Sequence, residues 1–168
     1  MSRNFSTGDD NERGTDFDLG AFLPYRLNRA AEMISLRFAA QYKARYEMTR
    51  PEWRALAALG SYGRMTATEV GANSTMHKTK VSRAVKSLED RRWLKRTIDE
   101  SDRRVEHLEL TAAGFRIYRE MVELARAYDR ELAALLGPAG LRQLEAGLGA
   151  VENAMSPSMS KRGRASFK

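Results

Sequence analysis

The chain has 168 residues, 30% charged and 42% hydrophobic, with a formal net charge of +7 and a pI near 9.9. It has no cysteine, which excludes disulfides, thiolate chemistry and cysteine redox sensing, and its two histidines, His77 and His107, lack metal-ligand spacing, so no metal or other cofactor is expected. No apolar run approaches the ~20 residues of a membrane span, and the N-terminus has no apolar signal core, so a cytoplasmic location is expected.

The basic balance admits nucleic acid, an anionic membrane or an acidic protein as partner, and the distribution of charge narrows the choice. Residues 1–19 read as a flexible acidic arm, where Arg3 and Arg13 face Asp9, Asp10, Glu12, Asp16 and Asp18. From Phe22 to Tyr46, Leu23, Leu27, Ala30, Ile34 and Phe38 recur at helical spacing and predict a long amphipathic helix. Met48-Thr-Arg-Pro51 interrupts it. Thr49 is placed to cap and Pro51 to open a second helix through Trp53, Leu56 and Leu59, closed by Gly60 and Gly63. Thr66-Ala-Thr-Glu69 has the spacing of a capping box and starts a short third helix. Gly71 to Ser74 is expected as a tight turn, with Thr75 as the cap of the next segment.

That segment, HKTKVSRAVKSLEDRRW over residues 77–93, is basic yet regularly amphipathic. Residues 77–104 hold ten Lys or Arg against five acids. Beyond Trp93, Lys95–Ile98 and Val105–Leu110 read as two short strands around the polar turn Asp99-Glu-Ser-Asp102, a hairpin with a longer tip than a two-residue loop. Thr111 then caps a long helix with Phe115, Tyr118 and Val122, which Gly137-Pro138 breaks. Leu141, Leu144, Leu148, Val151 and Met155 follow as a heptad-like seam. Pro157 is expected to end order, leaving residues 157–168 as a basic disordered tail ending in KRGRASFK.

This order predicts a mainly α fold: a winged helix-turn-helix over residues 49–110, with helices of 20–48 and 111–156 forming a dimerisation region. Helices with apolar stripes must bury them, and two copies packing terminus against terminus would do so. On a helical wheel at about 100° per residue, Val81, Ala84, Val85 and Leu88 form one buried stripe. Thr79, Ser82, Arg83 and Lys86 lie opposite, with side chains suited to base edges and phosphates in a major groove. Lys78 and Lys80 flank them as backbone contacts, and His77 is expected to cap the helix or touch phosphate. In the hairpin, Arg103 is the candidate for minor-groove insertion and Arg104 is expected to pair with Asp102 and shape the loop, with the two arginines able to exchange roles, and Arg96 is a candidate phosphate contact.

Trp53-Arg-Ala-Leu56, Met65-Thr-Ala-Thr-Glu69, Thr79-Lys-Val-Ser-Arg83, Leu88-Glu89, Asp102-Arg-Arg104 and Leu110-Thr-Ala-Ala-Gly114 together resemble the MarR family of bacterial transcriptional regulators. The resemblance spans roughly residues 20–155. It implies a homodimer on pseudo-palindromic double-stranded DNA, relieved by a small aromatic, anionic effector bound between the two helical layers. Phe22 to Glu32, with Met76 to Arg83, resembles a branch controlling aromatic-compound catabolism, some of whose members sense coenzyme A thioesters. The pocket so implied lies between the first helix, the second and the start of the helix after the hairpin. Tyr25, Arg26, Met33, Trp53 and Phe115 are its candidate contacts, with Arg26 the partner for a carboxylate. Where the family often has Gly-Leu after the recognition helix, this chain has Arg92-Trp93. Either that turn is built differently, or Arg92 enters the left-handed region, at a cost of roughly 1–2 kcal/mol, for the sake of a phosphate contact. The leading reading is a ligand-released repressor, and the alternative is an architectural DNA-binding protein without effector. No nucleophile–base pair or phosphate-binding glycine loop supports an enzyme.

Overall fold

The computed structural model describes residues 17–155, so the acidic arm up to residue 16 and the tail from residue 156 lie outside the described residues. The chain divides into two units, residues 1–41 and 42–168. In the first, Phe17 and Phe22 meet edge to face at 5.4 Å, and helix α1, Leu23–Tyr46, begins. No residue of 17–41 is buried, and Leu23, Met33 and Leu36 are largely exposed.

The second unit holds the last turn of α1, then α2 (Arg50–Tyr62), β1 (Met65–Thr66), α3 (Ala67–Ser74), α4 (Lys78–Asp90), β2 (Leu94–Ile98), β3 (Glu106–Leu110) and α5 (Ala112–Met155). The fold is mainly helical with a β-hairpin wing, as the residue pattern implies. The cap foreseen at Thr49 and the capping box foreseen at Thr66-Ala-Thr-Glu69 are both complete capping boxes. Thr49 Oγ1 accepts from Glu52 N while Glu52 accepts from Thr49 N at 2.7 Å. Thr66 and Glu69 repeat the arrangement, again at 2.7 Å. Each satisfies donors that the first helical turn leaves orphaned.

α2, α3, α4 and the sheet pack on one another around Leu56, Leu59, Val70, Val81, Leu88 and Leu108, all essentially inaccessible. Burying side chains of this size stabilises by about 1.5–3 kcal/mol each. The sheet has three antiparallel strands in the order β1-β3-β2, with Met65 opposite Leu108 and Leu94 opposite Leu110. β1 was not foreseen, because two residues show no alternation and pair only through a partner distant in sequence.

Four local details differ from expectation. Gly71 to Ser74 is the last turn of α3 rather than a tight turn, and Thr75 ends α3 in the left-handed region at φ 52° rather than capping α4. His77 stands at the N-cap of α4 with no side-chain capping bond. Gly60 lies inside α2, where the Tyr118 ring covers it so closely that a Cβ would sit 2.4 Å from a ring carbon. In α5, Gly137 adopts φ 68° and ψ 167° before Pro138, so the helix is broken where expected. Its first part buries Gly114, Met121 and Tyr128, one heptad apart. Leu144, Leu148, Val151 and Met155 beyond the break stay exposed in the single chain.

Candidate nucleic-acid interface

α4 turns Val81, Ala84, Val85 and Leu88 inward, which fixes what it can turn outward. Thr79, Ser82 and Arg83 are exposed, and among the described residues their side chains have no hydrogen-bond or ion-pair partner. The same holds for His77, Lys78 and Lys80 at the N-terminal end. There the free amides of the first turn add partial positive charge, a combination suited to phosphate. Lys86 differs: Asp90, one turn on, accepts from its Nζ at 2.6 Å, and that bond raises the lysine pKa. The i,i+4 spacing of Lys86 and Asp90 was the available signal for this pair. An open concavity of about 640 Å³ lies between α3 and α4, where Met76, Val81, Lys78 and Ser82 are among its lining residues. None of the five candidate effector contacts lines it.

The end of α4 explains Arg92. Trp93 N donates to Leu88 O at 2.9 Å and Arg92 N to Glu89 O at 2.8 Å, the two bonds of a Schellman motif. The motif needs a left-handed residue at Arg92, and φ is 59° there, so the chain takes the strained option. Arg91, before it, donates to the carbonyls of Tyr46 at 2.7 Å and Glu47 at 3.0 Å, and stacks over the Trp93 ring. Sequence reasoning missed this tie between the recognition helix and the end of α1, because nothing local marks a partner 45 residues away. From the other side, Thr111 Oγ1 donates to Arg92 O at 2.7 Å and Thr111 N to Trp93 O at 3.0 Å. Gly114 then sits so close that a Cβ would fall 2.0 Å from Trp93 O.

The wing tip is built around Asp99. Its Oδ1 accepts from Ser101 N, Ser101 Oγ and Asp102 N, and its Oδ2 lies 3.0 Å from His107 Nε2. These bonds, Ser101's first and then His107's, hold the Asp99 carboxyl well below the usual carboxylate range. Arg104 donates from Nε and a terminal nitrogen to both oxygens of Asp102 at 3.0 Å, which lowers the Asp102 pKa. Arg103 is exposed and partnerless among the described residues. Arg96 is engaged: Nε donates to Glu89 Oε2 at 3.1 Å and a terminal nitrogen to Glu106 Oε2 at 3.0 Å. Partial burial opposes its charge, and the Glu106 and Glu89 bonds outweigh that and raise its pKa.

A free helix face with hydroxyls and a guanidinium, preceded by a short capped helix and followed by a wing, is the frame of a DNA-reading winged helix-turn-helix. The family model described as MarR family matches residues 46–105. Over those residues the chain is similar to the MarR family. The matched span runs from the end of α1 to the wing loop. Among solved structures, the chain is similar to the MarR family regulator SPO1453 of Silicibacter pomeroyi DSS-3, at 26% identity over 83% of this chain and 98% of that one, with a TM-score of 0.72. A second MarR family regulator from Silicibacter pomeroyi is 28% identical over 83% of this chain and 92% of its own, with a TM-score of 0.66. Bordetella bronchiseptica BpsR, whose DNA binding is regulated by 6-hydroxynicotinic acid, is 22% identical over 83% and 99%, with a TM-score of 0.71. Comparison with curated proteins gives no match.

Of the proposed effector contacts, Tyr25, Arg26 and Met33 lie on α1 in the first unit, with Tyr25 and Met33 exposed. Trp53 and Phe115 lie in the second unit. Trp53 packs against the buried Tyr42 ring at 6.2 Å, and Phe115 is exposed at the start of α5. No helix among the described residues is long and apolar enough to cross a membrane.

Proposed function

We propose that this protein is a homodimeric repressor that reads a pseudo-palindromic operator and is released by a small aromatic carboxylate or a related coenzyme A thioester. One observation carries the DNA half of the reading: Thr79, Ser82 and Arg83 face outward from the first turns of α4 with no partner of their own. Arg83 is assigned to base edges, with Thr79, Ser82 and, after release from Asp90, Lys86 beside it. Lys78, Lys80 and His77 are assigned to phosphates, and Arg103 to the minor groove. Arg104 and Asp102 keep the loop in shape. In a dimer, two such helices reach successive major grooves about 34 Å apart. The uncovered leucines of α5 and of residues 17–41 support dimerisation through the helices of 20–48 and 111–156, since surface of this kind marks interfaces.

Two structural relatives support the effector class. BpsR responds to 6-hydroxynicotinic acid, and NadR, 21% identical with a TM-score of 0.64, was crystallised with 4-hydroxyphenylacetate. Both ligands are aromatic rings bearing a carboxylate. Arg26 is the assigned carboxylate partner, and Tyr25, Met33, Trp53 and Phe115 the assigned aromatic contacts. A place in aromatic-compound catabolism follows from the same ligand chemistry.

The test is a pair of substitutions measured on a duplex selected by the protein from a random library and on a scrambled duplex. Arg83→Ala should reduce both affinity and the preference between them, costing about 1–3 kcal/mol on the selected duplex. Lys78→Ala should weaken both duplexes equally. Equal losses on both duplexes for Arg83→Ala would remove its base-reading role. A wild-type preference below about 10³-fold would favour the architectural reading instead. Titration of the complex with aromatic acids and their coenzyme A thioesters tests the effector separately.

A further inference from the structure

The register of the wing sets Arg96 opposite Leu108, so Glu106 is its diagonal neighbour on the same face of the hairpin. That face also carries the buried Leu94, Leu108 and Leu110 and packs toward α4, whose last turn supplies Glu89. One guanidinium therefore joins the recognition helix to both strands of the wing, with side-chain exposure of only 34%. Two carboxylates around one cation leave the cluster with a net charge of −1. A phosphate approaching Arg96 meets that negative charge at close range, where like charges repel.

We propose that Arg96 is a positioning residue rather than a phosphate contact: through Glu89 and Glu106 it sets the angle between the recognition helix and the wing, so that both engage one half-site. The proposal rests on the DNA-reading function above. It accounts for why an arginine beside the DNA-facing elements is occupied, while Arg83 and Arg103 are free among the described residues. Arginine suits the role because its rigid fork holds two carboxylates at once, which an ammonium does less well.

The experiment compares wild type, Arg96→Gln, Arg96→Lys and the double variant Glu89→Gln/Glu106→Gln on the library-selected duplex, across a salt series and with hydroxyl-radical footprinting. If Arg96 positions, Arg96→Gln and the double glutamine variant both weaken binding, by about 5–30-fold, with the slope of log affinity against log salt unchanged. Both lose protection at the flanks under the wing and keep it in the major groove, whereas a general loss of folding would weaken every contact together. Arg96→Lys restores part of the flank protection. If Arg96 contacts phosphate, its removal flattens the salt slope by about 1, and the double glutamine variant, which frees Arg96 and removes two negative charges, binds more tightly. Either of those results overturns the proposal, as does unchanged flank protection in Arg96→Gln. Failure of the wild type to prefer the selected duplex over a scrambled one would instead overturn the DNA-reading function itself.

Discussion

Replacing Gly114 by alanine tests the joint between the recognition helix and α5. The new Cβ would lie 2.0 Å from Trp93 O, 2.9 Å from its carbonyl carbon and 3.2 Å from its Cα. A carbon–oxygen contact settles near 3.3 Å, so the backbone must shift by about 1.3 Å. No flexible side chain can absorb the shift, because the obstacle is main chain. The displaced carbonyl is also the acceptor for Thr111 N, so that hydrogen bond is lost. Overpacking costs about 1–3 kcal/mol and the hydrogen bond about 1 kcal/mol, giving about 3 kcal/mol in total. For a chain of this size that lowers Tm by about 6–12 °C. Gly147→Ala is the control: it is helical, nothing lies within 4 Å of its Cβ, and helix propensity alone should raise Tm by about 2–4 °C. Thermal unfolding followed by circular dichroism at fixed protein concentration reads both. A Gly114→Ala protein melting within about 2 °C of wild type would refute the close-approach reasoning.

Thr66→Ala removes one half of the α3 capping box and should cost about 1 kcal/mol, with amide exchange fastest at Glu69; unchanged protection there would discount the cap. Arg92→Gly relieves a left-handed arginine at the price of a floppier unfolded chain, for a net gain of about 0.5–1 kcal/mol in urea melts; a loss of stability would mean the Arg92 side chain holds something that no contact among the described residues shows. Asp99 has its folded pKa depressed, so its contribution is fully present above the unfolded value near 3.9 and is lost as pH falls through the folded value. Asp99→Asn should therefore loosen the wing loop at pH 7 and abolish its acid sensitivity, read from Ser101 and Asp102 amide shifts; a loop that loosens at the same pH in both proteins would assign the transition to another group.

What the sequence made legible was local in origin. Thr49 with Glu52, Thr66 with Glu69, and the Val81–Leu88 stripe each follow rules that act within three to seven residues, and each stands where the pattern put it. What escaped depends on distant partners. Arg91 reaches the end of α1, Arg96 reaches across the hairpin, and β1 exists only because β3 returns to it. Thr75 shows a subtler limit: a threonine before a basic helix suits an N-cap, but the preceding helix claims it first as a left-handed terminator. Among the DNA-facing candidates, residue type singled out Lys86 and Arg96 along with Arg83; the i,i+4 spacing to Asp90 could have marked Lys86 as paired, whereas the Arg96 bonds to Glu89 and Glu106 show only in the folded hairpin.

The pairing of Met65 with Leu108 has a consequence for connectivity. It closes a circuit of backbone that starts at β1, runs through α3, α4 and β2, and returns along β3, so the residues proposed to meet DNA lie inside one ring shut by a clasp two residues long. The recognition helix and the wing are therefore fastened to one another at the base of the hairpin as well as through the core they share.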